Sequence, residues 1–133
     1  MKRTPLTRKT PLKATTIRAS GKRLKSSKPK MTPARKAAEG EDCTVQFPGC
    51  PNARETSVLC HLRQYGGGGM GIKPHDSEAV FADHYCHDRL DGRALVWFAE
   101  GESIHEYIAR ALIRTLRRQR EKGVLIYKGE ESK

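Results

Sequence analysis

Apolar residues recur three and four apart most clearly near the end of the chain. Ile104, Ile108, Ala111, Leu112 and Leu116, with Tyr107, share one side of a 3.6-residue period and predict an amphipathic helix. Ser103-Ile104-His105-Glu106 reads as its capping box, serine and glutamate each satisfying an amide that the first turn leaves without a partner. Gly123 suits the C-terminal cap, and Val124-Leu125-Ile126-Tyr127 beyond it reads as a last strand or a packed tail.

Upstream the apolar runs are shorter. Glu55 to Leu62 has β character, Ala79-Val80-Phe81-Ala82 is a second short strand, and Cys43-Thr44-Val45-Gln46-Phe47 is a third candidate. Pro48-Gly49-Cys50-Pro51 predicts a tight turn presenting a thiol. The glycine-rich stretch 66–71 predicts a flexible loop between strands. Cys86 to about Leu90 begins a helix that Gly92 breaks, so the middle of the chain reads strand, loop, strand, helix. Thr32-Pro33 looks like the start of another short helix, running through Ala37 and ending near Gly40. Trp97 and Phe98 are most simply core residues.

Residues 1–32 show no such periodicity. They are rich in Lys, Arg, Thr, Ser and Pro, and too few apolar groups are present to offset the entropy of ordering them. This divides the chain into a disordered basic arm, 1–32, and one folded domain, 33–133. Charge sharpens the division. Of 26 Lys and Arg residues in the 133-residue chain, 13 lie within residues 1–36, where there is no acid. The remaining 97 residues hold 13 basic and 15 acidic side chains, so the net charge of +11 belongs to the arm. A basic arm of this kind suits a phosphate polymer, with a solubilising tail as the plainer alternative. Arg3, Arg8, Lys9, Lys13, Arg18, Lys22, Arg23 and, farther on, Arg63 are its candidate DNA contacts. No apolar run approaches the ~18 residues of a membrane span, and the N-terminus lacks the hydrophobic stretch of a signal peptide. A reducing, cytoplasmic setting is expected, where clustered cysteines are metal ligands more often than disulfides.

All four cysteines and four of the five histidines fall between positions 43 and 87. Cys43, Cys50 and Cys86, completed by Asp83 or His84, have the donor chemistry of a structural zinc site, with a wider first gap than usual; buried thiols are the alternative. His87 and Asp91 stand four apart, on one helical face, able to grip one ion together. His61 ends an apolar strand, where an ordinary polar role and a catalytic one are both open.

Several of these motifs, in this order, resemble the small phage and prophage nucleases of the YbcO type, of the HNH or ββα-metal group. The carriers are Arg35-Lys36-Ala37-Ala38, Cys43 through Pro48-Gly49-Cys50, Glu55 through Arg63, Lys73-Pro74 with Asp76, and Cys86-His87-Asp88. The resemblance implies an α+β fold with a small ββα-metal, treble-clef-like core, a zinc knuckle, a C-terminal helix and the disordered arm. It implies a metal-dependent DNA endonuclease acting in phage DNA processing or recombination in the bacterial host cytoplasm, with DNA as partner and a recombinase as a candidate second partner. Its site residues would be His61 as general base, Asp76 orienting it or touching the metal, and His87 with Asp91 holding a divalent cation (Mg²⁺ or Mn²⁺, with Zn²⁺ or Ni²⁺ as alternatives). Cys43, Cys50, Asp83 and Cys86 would hold structural Zn²⁺. Two departures stand out: Cys60 precedes the base where a metal-binding Asp or His is usual, and Asp83 replaces a knuckle cysteine. A zinc-stabilised, non-catalytic DNA-binding recombination accessory protein is the rival reading.

Overall fold

The computed structural model describes residues 30–65 and 72–129. The arm residues up to 29 and the glycine-rich stretch 66–71 lie outside the described residues, and with them every predicted DNA contact except Arg63.

The chain order is α1 (Pro33–Ala38), a single 3-10 turn (Arg54–Thr56), β1 (Val58–His61), β2 (Ala79–Ala82), α2 (His84–Leu90) and α3 (Ile104–Glu121). β1 and β2 are antiparallel, with Cys60 opposite Val80 and His61 opposite Ala79. Strand side chains alternate between faces, and the small sheet therefore separates two apolar clusters. Cys60, Val80 and Ala82 pack with Cys43, Val45, Phe47, Cys86, Leu90, Ile108 and Ala111. Leu59, Ala79 and Phe81 pack with Ala37 and Ala38 of α1. Phe81 and Phe47 are among the largest fully buried side chains, each contributing ~1.5–3 kcal/mol through the area it removes from water.

Caps explain where the helices begin. Thr32 accepts the Arg35 amide at 3.3 Å and Pro33 sits at the first helical position. Asp83 caps α2, its Oδ1 accepting the Cys86 amide at 2.9 Å, which starts the helix two residues earlier than the sequence suggests. α3 begins after Ser103 as expected, but the capping box does not form: Ser103 makes no side-chain cap bond. Glu106 instead pairs with Arg110 one turn on, and it is Glu102 that accepts bonds from the Ala99 amide and the Tyr107 hydroxyl.

Three further expectations are corrected. Cys43–Phe47 is not a strand, because Gln46 adopts a left-handed φ of 53° that ends any extended run. A single backbone bond, from the Thr44 amide to Phe81 O at 2.9 Å, ties the segment to β2. Trp97 is not core: it is 81% exposed, while its neighbour Phe98 packs on Phe47 and Tyr107. Residues 124–127 form no strand; Val124 packs beneath α1, whereas Ile126 and Tyr127 are exposed. The buried stripe of α3 runs Ile108, Ala111, Thr115, Gln119. Its polar half is held by the Thr115 hydroxyl, which pairs with Thr44 Oγ1 at 2.9 Å and accepts the Phe81 amide at 3.3 Å.

Candidate active site and metal clusters

Four donors converge between the loop after α1 and the start of α2. Atoms of Cys43, Cys50, Asp83 and Cys86 all lie within 4.8 Å of one another. Cys50 is presented by the turn whose backbone bond runs from the Cys50 amide to Phe47 O at 2.9 Å. Gly49 takes a φ of 82° there, and a Cβ on it would stand 2.6 Å from the Tyr85 hydroxyl. That hydroxyl donates to Pro48 O at 2.8 Å, and the Arg89 guanidinium lies 3.4 Å above the Tyr85 ring, so α2 holds the turn in place.

The protonation states follow from this crowding. A hydrogen bond from Cys86 draws the Cys43 thiol down to about 6. Cys86 is pushed up by that same bond and by burial. Burial raises Cys50 to about 12. Burial also pushes Asp83 upward, but bonds from the Cys86 amide, the Cys50 thiol and the Ala53 amide outweigh it and hold the carboxylate below its ordinary range. The same contacts favour the thiolate at Cys43 and the ionised form of Asp83. Three sulfurs and an oxygen, all buried except the half-buried Cys50, fit a structural zinc ion, whose binding would release the remaining thiol protons. His84, the other candidate fourth donor, is exposed and shares a 3.1 Å bond with Thr56 Oγ1 instead.

A second group forms where β1 meets α2. Cys60, His87 and Asp91 also place donor atoms within 4.8 Å of one another. His87 Nε2 is 3.5 Å from Asp91 Oδ2, one helical turn on, and Arg93 meets the same carboxylate oxygen at 3.0 Å. Cys60 is buried, its thiol pushed up to about 12 by burial and then by the charge of Asp91.

His61, the next residue of β1, turns to the other face of the sheet. Its Nε2 lies 2.8 Å from Asp76 Oδ1. The carboxylate also accepts from the Thr32 hydroxyl and pairs with Arg35 at 3.3 Å. Burial pushes the Asp76 carboxyl up, yet these bonds together hold it below its ordinary value. An anionic neighbour at Nε2 favours the tautomer with the proton there, which makes Nδ1 the acceptor.

His61, His87 and Asp91 line one open cavity of about 440 Å³, together with Arg35, Arg63 and Lys73. Three guanidinium and ammonium groups beside an imidazole and a donor pair make a surface suited to a phosphate group. The structure therefore brings His61 to Asp76, and His87 to Asp91, and it gathers Cys43, Cys50, Asp83 and Cys86. Arg63 is exposed at the cavity wall. Sequence reasoning placed Cys60 where the family carries a metal-binding Asp or His but gave it no role, and it missed Arg35 and Lys73 as lining of the cavity and Thr32 as a partner of Asp76. Only Cys60 carried a signal: its place in a strand, one residue before His61, beside a helix bearing two donors four apart.

A family model described as "Putative nuclease YbcO" matches residues 32–124. Curated proteins of that description from Escherichia coli (strain K12) and from Enterobacteria phage 82 are each 48% identical to the chain over 64 residues, covering 47% of it and 67% of theirs. A solved structure described as a putative bacteriophage protein from Escherichia coli str. K-12 substr. MG1655 aligns with a TM-score of 0.50 at 32% identity, covering 68% of this chain and all of that one.

Proposed function

The chain belongs to the YbcO nuclease family, and on that footing we propose that it is a metal-dependent DNA endonuclease of the HNH type. The observation that carries the proposal is one cavity lined by His61, the His87–Asp91 pair and the cations Arg35, Arg63 and Lys73, with Asp76 2.8 Å from His61. His61 is the general base: Asp76 accepts its Nε2 proton, so Nδ1 is free to take a proton from the attacking water. Asp76 also stabilises the imidazolium that results, and it is itself held by Thr32 and Arg35. Arg35, Arg63 and Lys73 position the phosphate and offset its charge. His87 and Asp91 hold a divalent cation, which when bound supplies positive charge to the scissile phosphate and the leaving oxygen. The products expected are 5′-phosphate and 3′-hydroxyl ends.

Cys43, Cys50, Asp83 and Cys86 hold a structural zinc ion that fixes the start of α2, and so the position of His87. The basic arm contributes sequence-independent affinity for DNA. Among the described residues no helix is long and apolar enough to cross a membrane. A phage-encoded relative supports work on phage DNA within the host cytoplasm, with a recombination protein as a candidate partner.

Supercoiled plasmid incubated with the protein and Mg²⁺, Mn²⁺, Ni²⁺ or Zn²⁺ tests the reading. Cleavage that EDTA stops is expected. Binding of plasmid without cleavage in any of these ions would select the non-catalytic DNA-binding protein instead.

A further inference from the structure

We propose that Trp97, with Leu95 beside it, stacks on an unpaired base of the DNA strand that runs on from the His61 cavity. The substrate class that follows is DNA with a single-stranded stretch next to the cut, as in a flap or a branch. That substrate class rests on the nuclease reading; the stacking itself does not.

Leu95 and Trp97 are 77% and 81% exposed. Exposure alternates along the segment: Val96 and Phe98 turn inward onto the apolar cluster around Phe47, while Leu95 and Trp97 stand outward. Both ends of the segment are fixed. The amides of Arg93 and Ala94 donate to Asp88 O at 2.8 and 3.3 Å. Phe98 packs on Phe47 and Tyr107, with ring centroids 5.7 and 5.3 Å away. The indole is thus held out on a pinned backbone, and ordering it on binding costs little.

Single exposed apolar residues are ordinary on a surface; the position of this pair sets it apart. A second cavity of about 260 Å³, which reaches Leu90 and Arg93, shares Arg63 and Asp91 with the cavity that holds His61. The two form one groove, with Arg35 and Lys73 toward one end and Arg93 at the other. Arg93 pairs with Asp88 and Asp91 and so reduces their repulsion of a phosphate. Four residues of chain span at most ~14 Å, so Trp97 stands within a few nucleotides of Arg93. Glu100 and Glu102 lie beyond it in sequence, and Glu102 is held by the Ala99 amide and the Tyr107 hydroxyl.

A cationic groove that leads to an outstanding aromatic ring is how proteins grip single strands: the charges follow the backbone and the ring takes the face of a base. In an intact duplex each base is already stacked on its neighbours, and the ring gains a partner only after unstacking is paid for. The centre of a protein-binding patch is depleted of charge, whereas this pair continues a groove lined by cations. The occupant that fits is therefore a base.

Trp97 is the chain's single tryptophan, so its fluorescence reports on this one side chain. The test uses the full-length, zinc-loaded chain without further divalent ions. The probes are oligothymidylate, a blunt duplex, and a duplex with a single-stranded branch. Unlabelled DNA serves for tryptophan emission and dye-labelled DNA for affinity by anisotropy. Oligothymidylate and the branched duplex should quench the emission, and the blunt duplex should not. Trp97→Ala should bind the first two ~10-fold more weakly and the blunt duplex equally well, and Trp97→Phe should recover most of the loss. Bound oligothymidylate that leaves the emission unchanged would overturn the proposal, as would equal quenching by the blunt duplex. So would a folded Trp97→Ala protein of unaltered affinity, or one whose only change is loss of self-association in sedimentation. The parent's emission decides the matter even if that variant fails to fold. Quenching and Trp97-dependent affinity without cleavage in any ion would uphold the stacking and sink the nuclease reading alone. EDTA-sensitive cleavage by a protein whose emission no DNA quenches would do the reverse.

Discussion

The Thr32 hydroxyl donates to Asp76 Oδ2 across 44 positions of sequence, while the same hydroxyl oxygen accepts the Arg35 amide at the start of α1. One side chain thus caps a helix and fixes the carboxylate that faces His61. Thr32→Val should cost ~1 kcal/mol of stability through removal of the cap and also slow cleavage. Thr32→Ser should restore both. Full activity in a folded Thr32→Val protein would show that Asp76 needs no such anchor.

Asp76→Asn replaces the charged acceptor of the His61 Nε2 proton with a neutral amide, whose NH2 can face Nε2 and favour the wrong imidazole tautomer. Loss of an orienting partner of this kind costs ~10–100-fold in activity, and a plasmid-nicking time course should show it with DNA affinity nearly unchanged.

The same carboxyl gives an acid-stability prediction. Its folded pKa lies below the ordinary 3.8, so its contribution is present above that value and disappears as pH falls through the lower, folded one. Urea midpoints measured from pH 6 down to pH 2 should therefore fall less steeply at the acid end in Asp76→Asn than in the parent. Parallel acid limbs would mean that the bonds to Thr32, His61 and Arg35 do not favour the ionised form.

His61→Ala should abolish detectable cleavage, a loss of ~10²–10⁴-fold for a general base, and leave the fold and DNA affinity nearly intact. A variant that cuts plasmid as fast as the parent would return His61 to an ordinary polar role.

Cys43→Ser should release zinc and lower the melting temperature by about 10 °C, the effect of ~2 kcal/mol in a domain of this size. Unchanged metal content would mean that the four donors are packed thiols and a helix cap.

Deleting residues 2–29 stops short of Thr32 and so spares the anchor of Asp76. DNA affinity should fall, and the salt slope should flatten by ~0.9 for each phosphate the arm no longer neutralises. An unaltered slope would take the arm out of binding.

The parts of the site that were legible in sequence are those set by local geometry or by unmistakable donor chemistry. His87 and Asp91 meet because any helix brings i and i+4 together. The three sulfurs around Asp83 were legible because few residue types serve a buried zinc ion. The slot of Cys60 was legible only through the family resemblance, since whether its thiol meets His87 and Asp91 depends on how β1 lies against α2, and neither element alone encodes that. Thr32 and Arg35 reach Asp76 only because α1 packs on β1 through Ala37, Ala38 and Leu59. Trp97 was misplaced for a simpler reason: hydrophobicity ranks a residue for burial but does not say whether the small core has room for it. The capping box does not form although both residues stand at its positions, and Glu106 faces Arg110 at 3.6 Å instead.

Asp83 lends one oxygen to the first turn of α2 and turns the other toward Cys50 and the Ala53 amide. Disturbing the Cys43 cluster should therefore loosen the helix four residues before His87, so that the two donor clusters would not respond independently. Double-mutant cycles between Cys43 and Asp91 should be non-additive. Chelation curves for activity should likewise depend on which ion leaves first, giving a loss of function that is sequential in time although it looks like a single metal requirement.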